Sequence, residues 1–140
     1  MISNNLVLFF DGACTKNPGG VASFGFKISC KDTGNLIYSQ SGEVCRGTQA
    51  SCNIAEWAAL RNGIKYLKDQ SWSGVIEIYG DSQLVINQLN GVFKVRKDTL
   101  IPYYTECMEI LKGWNWSAIW IAREQNKECD ELSRLPSVEE

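Results

Sequence analysis

The strongest constraint on the fold is an apolar run near the N-terminus that ends in a carboxylate. Residues 5–11 read Asn-Leu-Val-Leu-Phe-Phe-Asp, and a nearly continuous apolar run of this length is typical of a central strand covered on both faces. A charge at the end of such a strand is costly to bury unless another group neutralises it. Asp11 is therefore the acidic residue that is hardest to explain as an ordinary surface group.

Three other carboxylates stand out. Glu56 falls inside a helical pattern of apolar residues, Asp81 follows a second strand-like run, and Asp130 lies in a polar segment near the C-terminus. Each also has a simpler interpretation. Glu56 fits a capping box that starts at an N-cap Asn53, and Asp81 fits a helix N-cap. Asp130 could pair with Arg134 one helical turn away. If the four carboxylates converge, they predict a site for hard divalent cations, which prefer oxygen ligands.

Length and composition predict one globular domain. The chain has 140 residues, of which 44% are hydrophobic and 21% are charged, and this suits a single hydrophobic core. We expect the domain to span 1–135, followed by a frayed tail over 136–140. No apolar run approaches the roughly 20 residues of a membrane helix, and no basic segment precedes the first apolar run. Neither a membrane span nor a signal peptide is therefore predicted.

Cysteine usage and charge exclude several function classes. Six cysteines without a C-x-x-C pair, and no histidine, disfavour a structural zinc site or a Cys/His nucleophile. Without a secretion signal, we expect reduced thiols and a cytoplasmic location. The net charge of −2 gives no bulk attraction for nucleic acid. Basic residues do cluster over 94–97 and 123–134, although either cluster alone is more typical of a solvated face.

The pattern of periodicities predicts an α/β fold. Short turns between the first three strands favour an antiparallel meander, and the later strands follow helices, as parallel strands do. We therefore expect a five-stranded mixed sheet, three antiparallel strands then two parallel, flanked by about four helices. The predicted strands span about 5–11, 21–30, 35–45, 74–80 and 116–122, and the predicted helices about 51–68, 81–91, 98–112 and 126–134.

Four segments together resemble one known family. They read DGACTKNPGG from Asp11, CNIAEWAAL around Glu56, GDSQLVINQLNG around Asp81, and REQNKECDELSR around Asp130. These segments resemble, in order, the four signature elements of type I ribonuclease H. One such motif would be weak, but four in register along nearly the whole chain are specific. The resemblance implies a ribonuclease H-like fold.

The resemblance also implies an activity and a metal site. The family hydrolyses the RNA strand of RNA–DNA hybrids with little sequence preference, by a two-metal mechanism that leaves 3′-hydroxyl and 5′-phosphate ends. Carried over by position, Asp11, Glu56, Asp81 and Asp130 are the expected catalytic metal ligands. Two Mg²⁺ ions are the expected cofactor, with Mn²⁺ as a substitute. Asp11 would bridge both ions, since it extends from the central strand.

The resemblance further implies which residues contact the hybrid. Three departures modify this expectation: Cys52 replaces a frequent asparagine, the segment 91–104 is too short for the basic protrusion of the bacterial branch, and the loop histidine of that branch is absent. Arg123 stands at about the position of that histidine. The expected contacts to the minor groove and its 2′-hydroxyls are Asn17, Ser51, Cys52, Asn53 and Gln83, and the other expected contacts are Lys94, Arg96, Lys97 and Arg123.

Two alternative functions remain open at this point. A catalytically silent hybrid-binding module would have the same fold, although binding alone does not need four carboxylates. Another nuclease or an integrase of the same broad fold is the second alternative, and the NPGG turn and the N-x-x-E helix disfavour it. The expected partner is an RNA–DNA hybrid and not a membrane. We expect a monomer, with possible fusion to or association with a replication or reverse-transcription protein.

Overall fold

Five strands form a single mixed sheet with helices on both faces. The computed structural model describes residues 2–16 and 19–138, with side chains as far as residue 134. Among these residues, no helix is both long and apolar enough to cross a lipid bilayer. The strands are β1 (Asn5–Cys14), β2 (Val21–Cys30), β3 (Leu36–Arg46), β4 (Val75–Gly80) and β5 (Asn115–Trp120), and the helices are α1 (Cys52–Asp69), α2 (Gln83–Leu89), α3 (Ile101–Leu111) and α4 (Lys127–Val138).

The strand order β3-β2-β1-β4-β5 confirms the predicted fold. β1 pairs antiparallel with β2 and parallel with β4, and β5 continues the parallel half. The parallel pairing ends at Phe10 and Gly80. β1 extends three residues beyond its predicted end, because it stays paired with β2 as far as Cys14. Asp11 and Asp81 therefore lie side by side, just past the last residues that β1 and β4 share.

Two helix caps differ from the prediction. The predicted N-cap Asn53 is wrong, because the Ser51 hydroxyl accepts the hydrogen bond from the Ile54 amide at 3.2 Å. Serine caps α2 as well: Ser82, and not Asp81, accepts from the Val85 amide at 3.1 Å. Serine hydroxyls at these positions satisfy amides that a helix leaves unpaired. Neither Glu56 nor Asp81 is therefore needed to cap a helix, and both remain available to the site.

The C-terminal helix is longer than predicted. A tail was predicted over 136–140, but α4 continues to Val138. Residues 139–140 lie outside the described residues. The boundary of the domain at residue 135 stays a prediction.

The two faces of the sheet carry different helices. Phe26 and Leu8 are fully buried in the core that contains α1. Neighbouring residues of a strand point to opposite faces, so Gly25 faces away from α1. A Cβ atom on Gly25 would lie 2.7 Å from the Leu132 Cβ, which shows how closely α4 approaches β2. Asp11 pairs with Gly25 in register and therefore also faces α4.

Gly12 permits an equally close contact on the other face. A Cβ atom on Gly12 would overlap the backbone of Ala55 and Glu56, and would lie 2.6 Å from the Ala55 Cβ. Real Cβ atoms do not approach other atoms this closely, so only glycine allows the first turn of α1 to rest on β1. This contact places Glu56 beside the strand that carries Asp11.

Replacing Gly12 with alanine should displace α1 from β1. We expect Gly12→Ala to lower the free energy of unfolding by about 1–3 kcal/mol, the usual effect of overpacking, as measured by urea denaturation. Gly113→Ala is the matched control, because a Cβ there would meet only the Ile110 carbonyl oxygen, at 3.7 Å. Equal stability of Gly12→Ala and the wild type would contradict the contact.

Candidate active site

Three carboxylates from distant parts of the chain meet at one edge of the sheet. Asp11 comes from β1, Glu56 from the second turn of α1, and Asp81 from the residue after β4. One carboxylate oxygen of each lies within 4.8 Å of the other two. Oxygen ligands at this spacing match the chemistry of hard divalent cations. The donor set thus fits the cation that the sequence predicts.

The buried position of Asp11 strongly affects its protonation. Asp11 is only 4% exposed. Burial, together with the nearby negative charges of Asp81 and Asp130, raises the pKa of Asp11 to about 8. The Gly12 amide opposes this shift by donating a hydrogen bond to Asp11 Oδ1 at 2.9 Å. Without a cation, the Asp11 carboxyl therefore keeps its proton at neutral pH.

Glu56 experiences the same kind of environment. Burial is the largest cause that raises the pKa of Glu56 to about 8, and the charges of Asp11 and Asp81 add to it. The Arg123 guanidinium and the Ser82 hydroxyl favour the charged form and oppose the shift. Two neighbouring carboxyl groups with raised pKa values indicate that the site brings acidic side chains together without enough basic side chains to neutralise them.

Asp81 is held from two sides by the segment that links β5 to α4. Burial raises the pKa of Asp81, and the Asn126 amide and the Arg123 charge oppose this. Asn126 Nδ2 lies 3.4 Å from Asp81 Oδ2. The Trp120 indole donates to the Asp81 main-chain oxygen at 3.1 Å. The side chain and the backbone of Asp81 are thus both anchored.

The fourth predicted carboxylate lies at the edge of this group. Asp130 is outside the set of three, but it is close enough to Asp11 for its negative charge to raise the pKa of Asp11. Its Oδ1 also lies 3.3 Å from Arg134 Nη2, so the ion pair expected from sequence is present. Asp130 therefore lies beside both a basic side chain and the carboxylate group.

An open pocket of about 480 Å³ adjoins the carboxylates. Cys52, Arg123, Asp130 and Arg134 line it together with residues 12–15. Burial raises the pKa of the Cys52 thiol, and the charge of Glu56 adds to this, so the thiol stays neutral. Two arginines and a carboxylate at one opening give the pocket the polarity of a phosphate-binding surface.

The other predicted nucleic-acid contacts lie at the starts of α1 and α2 and in the segment after α2. Ser51 caps α1 and Asn53 lies half-buried in its first turn, and Gln83 is exposed at the start of α2. The segment after α2 carries three exposed basic residues, Lys94, Arg96 and Lys97. The predicted contact Asn17 lies outside the described residues.

Two contacts of the site were not anticipated from the sequence. Asn126 lies four residues before Asp130 in a motif already noted, but its hydrogen bond to the Phe10 main-chain oxygen joins residues 116 positions apart. Trp120 is 46% exposed, and its indole donates a hydrogen bond to the Asp81 main-chain oxygen. The available signal was that Asp81 follows one predicted strand and Trp120 lies near the end of another.

Comparison with known proteins points to one family. A family model described as "Reverse transcriptase-like" matches residues 9–135. A protein of Halobacterium salinarum named "Ribonuclease HI" is 32% identical over 126 residues, and the match covers 89% of this chain and 60% of that protein. This chain therefore spans less than two thirds of that relative.

Solved structures show the same similarity over the whole domain. RNase H1 from Halobacterium salinarum NRC-1 superposes with a TM-score of 0.86 and 29% identity, covering 97% of this chain and 99% of that one. LC11-RNase H1, solved in complex with an RNA/DNA hybrid, superposes with a TM-score of 0.81 and 28% identity, covering 91% of this chain and 93% of that one.

The raised pKa values predict how stability depends on pH without metal. Unfolded aspartate and glutamate release their protons near pH 4, whereas folded Asp11 and Glu56 retain theirs up to about pH 8. The folded state binds more protons between these values, so the free energy of unfolding should fall as pH rises from 5 to 9 in EDTA. Urea denaturation across this range measures the slope.

Asp11→Asn isolates the contribution of the cluster to this slope. The variant should be more stable than the wild type at pH 9 in EDTA and should lose less stability between pH 5 and 9. Glu109→Gln is the control, since Glu109 forms only a surface pair with Lys112. The explanation fails if Asp11→Asn and the wild type show parallel curves.

Proposed function

Because this chain belongs to the reverse transcriptase-like family, which contains the type I ribonucleases H that its motifs resemble, we propose that it is a metal-dependent endoribonuclease acting on RNA–DNA hybrids. It hydrolyses the RNA strand with little dependence on sequence. The observation that carries this proposal is the group of Asp11, Glu56 and Asp81, whose carboxylate oxygens lie within 4.8 Å of one another. A binding module has no need for such a cluster of partly protonated carboxyl groups.

The carboxylates of this site would hold two Mg²⁺ ions, or Mn²⁺ in their place. Asp11, Glu56 and Asp81 would be the central ligands of these ions, and Asp130 would help hold them from the edge of the site. Divalent ions at such a site activate water and neutralise charge at the scissile phosphate. Hydrolysis would leave a 3′-hydroxyl end and a 5′-phosphate end.

Arginines at the edge of the site would orient the nucleic acid. Arg123 is close enough to Glu56 and Asp81 to lower their pKa values, and it lines the open pocket together with Arg134. A guanidinium group can bind phosphate oxygens in a bidentate manner. Arg123 would therefore contact the phosphate backbone near the cleaved bond and stabilise negative charge there, without a histidine.

The start of α1 would recognise the RNA strand. Ser51, Cys52 and Asn53 form the N-terminal turn of α1 next to Glu56, and Gln83 begins α2 beside Asp81. Contacts to 2′-hydroxyl groups distinguish RNA from DNA, and contacts that avoid base edges carry little sequence information. Asn17, which lies outside the described residues, stays a predicted contact of the hybrid.

The wider context of the protein is part of the same proposal. The chain spans 60% of the length of the halobacterial relative, so association with, or fusion to, a replication or reverse-transcription protein is compatible with it. We propose that the domain itself acts as a monomer. A cytoplasmic, reducing compartment suits a chain with six cysteines.

Cleavage of defined substrates tests the proposed function. End-labelled RNA–DNA hybrid, single-stranded RNA, duplex RNA and duplex DNA are incubated with Mg²⁺, Mn²⁺ or EDTA. We expect internal cuts only in the RNA strand of the hybrid, and none in EDTA. Asp11→Asn should lower the cleavage rate by at least about 10³-fold while hybrid affinity in EDTA changes little, because the ligand acts in chemistry and not in docking.

Each other outcome selects a different function. Hybrid binding without cleavage in either metal favours a catalytically silent binding module. Cleavage of duplex DNA at the rate of the hybrid favours another nuclease of the same fold. Near wild-type cleavage by Asp11→Asn would remove Asp11 from the set of metal ligands.

The basic segment after α2 should contribute to hybrid affinity through phosphate contacts. Replacing Lys94, Arg96 and Lys97 together with alanine should weaken hybrid binding and reduce the slope of log affinity against log salt by about 3, since each of the three phosphate contacts contributes nearly one unit. Fluorescence anisotropy in EDTA between 50 and 300 mM salt measures this slope.

A second triple variant separates this effect from total charge. Lys65, Lys68 and Lys112 are exposed near the C-terminal ends of α1 and α3. Lys65 lies more than three turns from the start of α1. Their combined replacement with alanine removes the same charge but should leave the salt slope unchanged. Equal slopes for the two triple variants would exclude a specific role of the segment after α2.

A further inference from the structure

Asn126 is one of the few polar residues that are fully enclosed by the protein. It is 3% exposed and lies between the 3-10 turn Arg123–Gln125 and α4. Buried amides are usually retained for their hydrogen bonds, because an apolar side chain of similar size packs without loss of hydration. The partners of Asn126 therefore indicate what it does.

The amide of Asn126 joins the ends of two neighbouring strands. Its Nδ2 donates to the Phe10 main-chain oxygen at 2.9 Å and lies 3.4 Å from Asp81 Oδ2. A carbonyl oxygen can only accept, so the nitrogen must face Phe10 and the orientation of the amide is fixed. Phe10 directly precedes Asp11. One side chain thus bonds to the strand that carries Asp11 and to the carboxylate of Asp81.

The main chain of Asn126 bonds to the main chain of Asp130, the residue that carries the fourth carboxylate. Its carbonyl oxygen accepts a hydrogen bond from the Asp130 amide at 3.0 Å, as the residue before a helix does in its first turn. Asn126 therefore touches the elements that carry Asp11, Asp81 and Asp130.

The Asn126 amide is kept despite a structural disadvantage. Its Oδ1 atom is buried and has no hydrogen-bond partner within the described part of the chain. An unsatisfied buried acceptor destabilises a folded protein. Core packing alone thus favours another residue at this position, whereas the two bonds of Nδ2 require the amide.

We propose that Asn126 is a positioning residue for the metal site. Its amide fixes Asp81 relative to the end of β1 that carries Asp11, and its main chain fixes the start of the helix that carries Asp130. Asn126 would not contact the cation or the substrate itself. This inference rests on the proposed function, because it treats these three aspartates as ligands of divalent cations.

The test measures metal binding without substrate. Mg²⁺ or Mn²⁺ is titrated into the protein, and the rise in the thermal unfolding midpoint gives the half-saturating metal concentration. Asn126→Ala should raise this concentration by about tenfold or more, the usual effect of losing a residue that orients a metal ligand. Asn126→Ser is the second variant, with a smaller increase, because a hydroxyl retains one donor.

Matched controls exclude a general loss of structure. Asn90→Ala removes an exposed amide that donates to the Ala118 main-chain oxygen at 3.1 Å, and its half-saturating metal concentration should equal that of the wild type. The unfolding midpoint in EDTA establishes which variants are folded. Hybrid affinity in EDTA should change less than about twofold for the Asn126 variants, since the metal site is not needed for phosphate contacts.

The outcomes distinguish this inference from the proposed function. If the wild type shows no metal-dependent stabilisation, the metal site of the proposed function fails. If the wild type binds metal and either folded Asn126 variant has the same metal dependence, the positioning role is overturned while the proposed function stands. A raised half-saturating concentration with unchanged hybrid affinity supports the role of Asn126.

Discussion

The contact between β1 and the first turn of α1 is the constraint on which the site depends. A Cβ atom at position 12 would overlap Ala55 and Glu56. Because glycine has none, the helix can lie directly on the strand. The same strand turns Asp11 toward the opposite face, where Gly25 allows α4 to approach. Two glycines on paired strands therefore let helices from both faces bring their carboxylates to the same strand.

The assembled carboxylates lower the stability of the folded protein, and the rest of the fold must compensate for this. Burial raises the pKa of both Asp11 and Glu56 to about 8, which means that their charged forms are disfavoured in the folded protein. A continuous core that includes Phe10, Trp57 and Ile78 supplies the stability that offsets this. Functional sites commonly keep such unfavourable arrangements, because a cation that binds displaces the protons and stabilises the carboxylates.

Most of the fold followed from local patterns, whereas the details of the site did not. The apolar run before Asp11 and the helical spacing around Glu56 were enough to predict the element order, because periodicity reports burial directly. The N-cap at Ser51 was missed, since Asn53 has a similar capping propensity and only backbone geometry decides between them. The role of Asn126 was also missed, because its partners lie 45 and 116 residues away.

The separation of the four carboxylates along the chain has a kinetic consequence. Asp11, Glu56, Asp81 and Asp130 come from four elements, and they meet only when β1 has paired with β4 and both covering helices have docked. Contacts between distant residues form late in folding, because the connecting chain must first lose its freedom. An unfinished or partly unfolded polypeptide therefore has no complete centre. Under the proposed function, a potentially harmful capacity to cut RNA would thereby be restricted to molecules that have reached the native state.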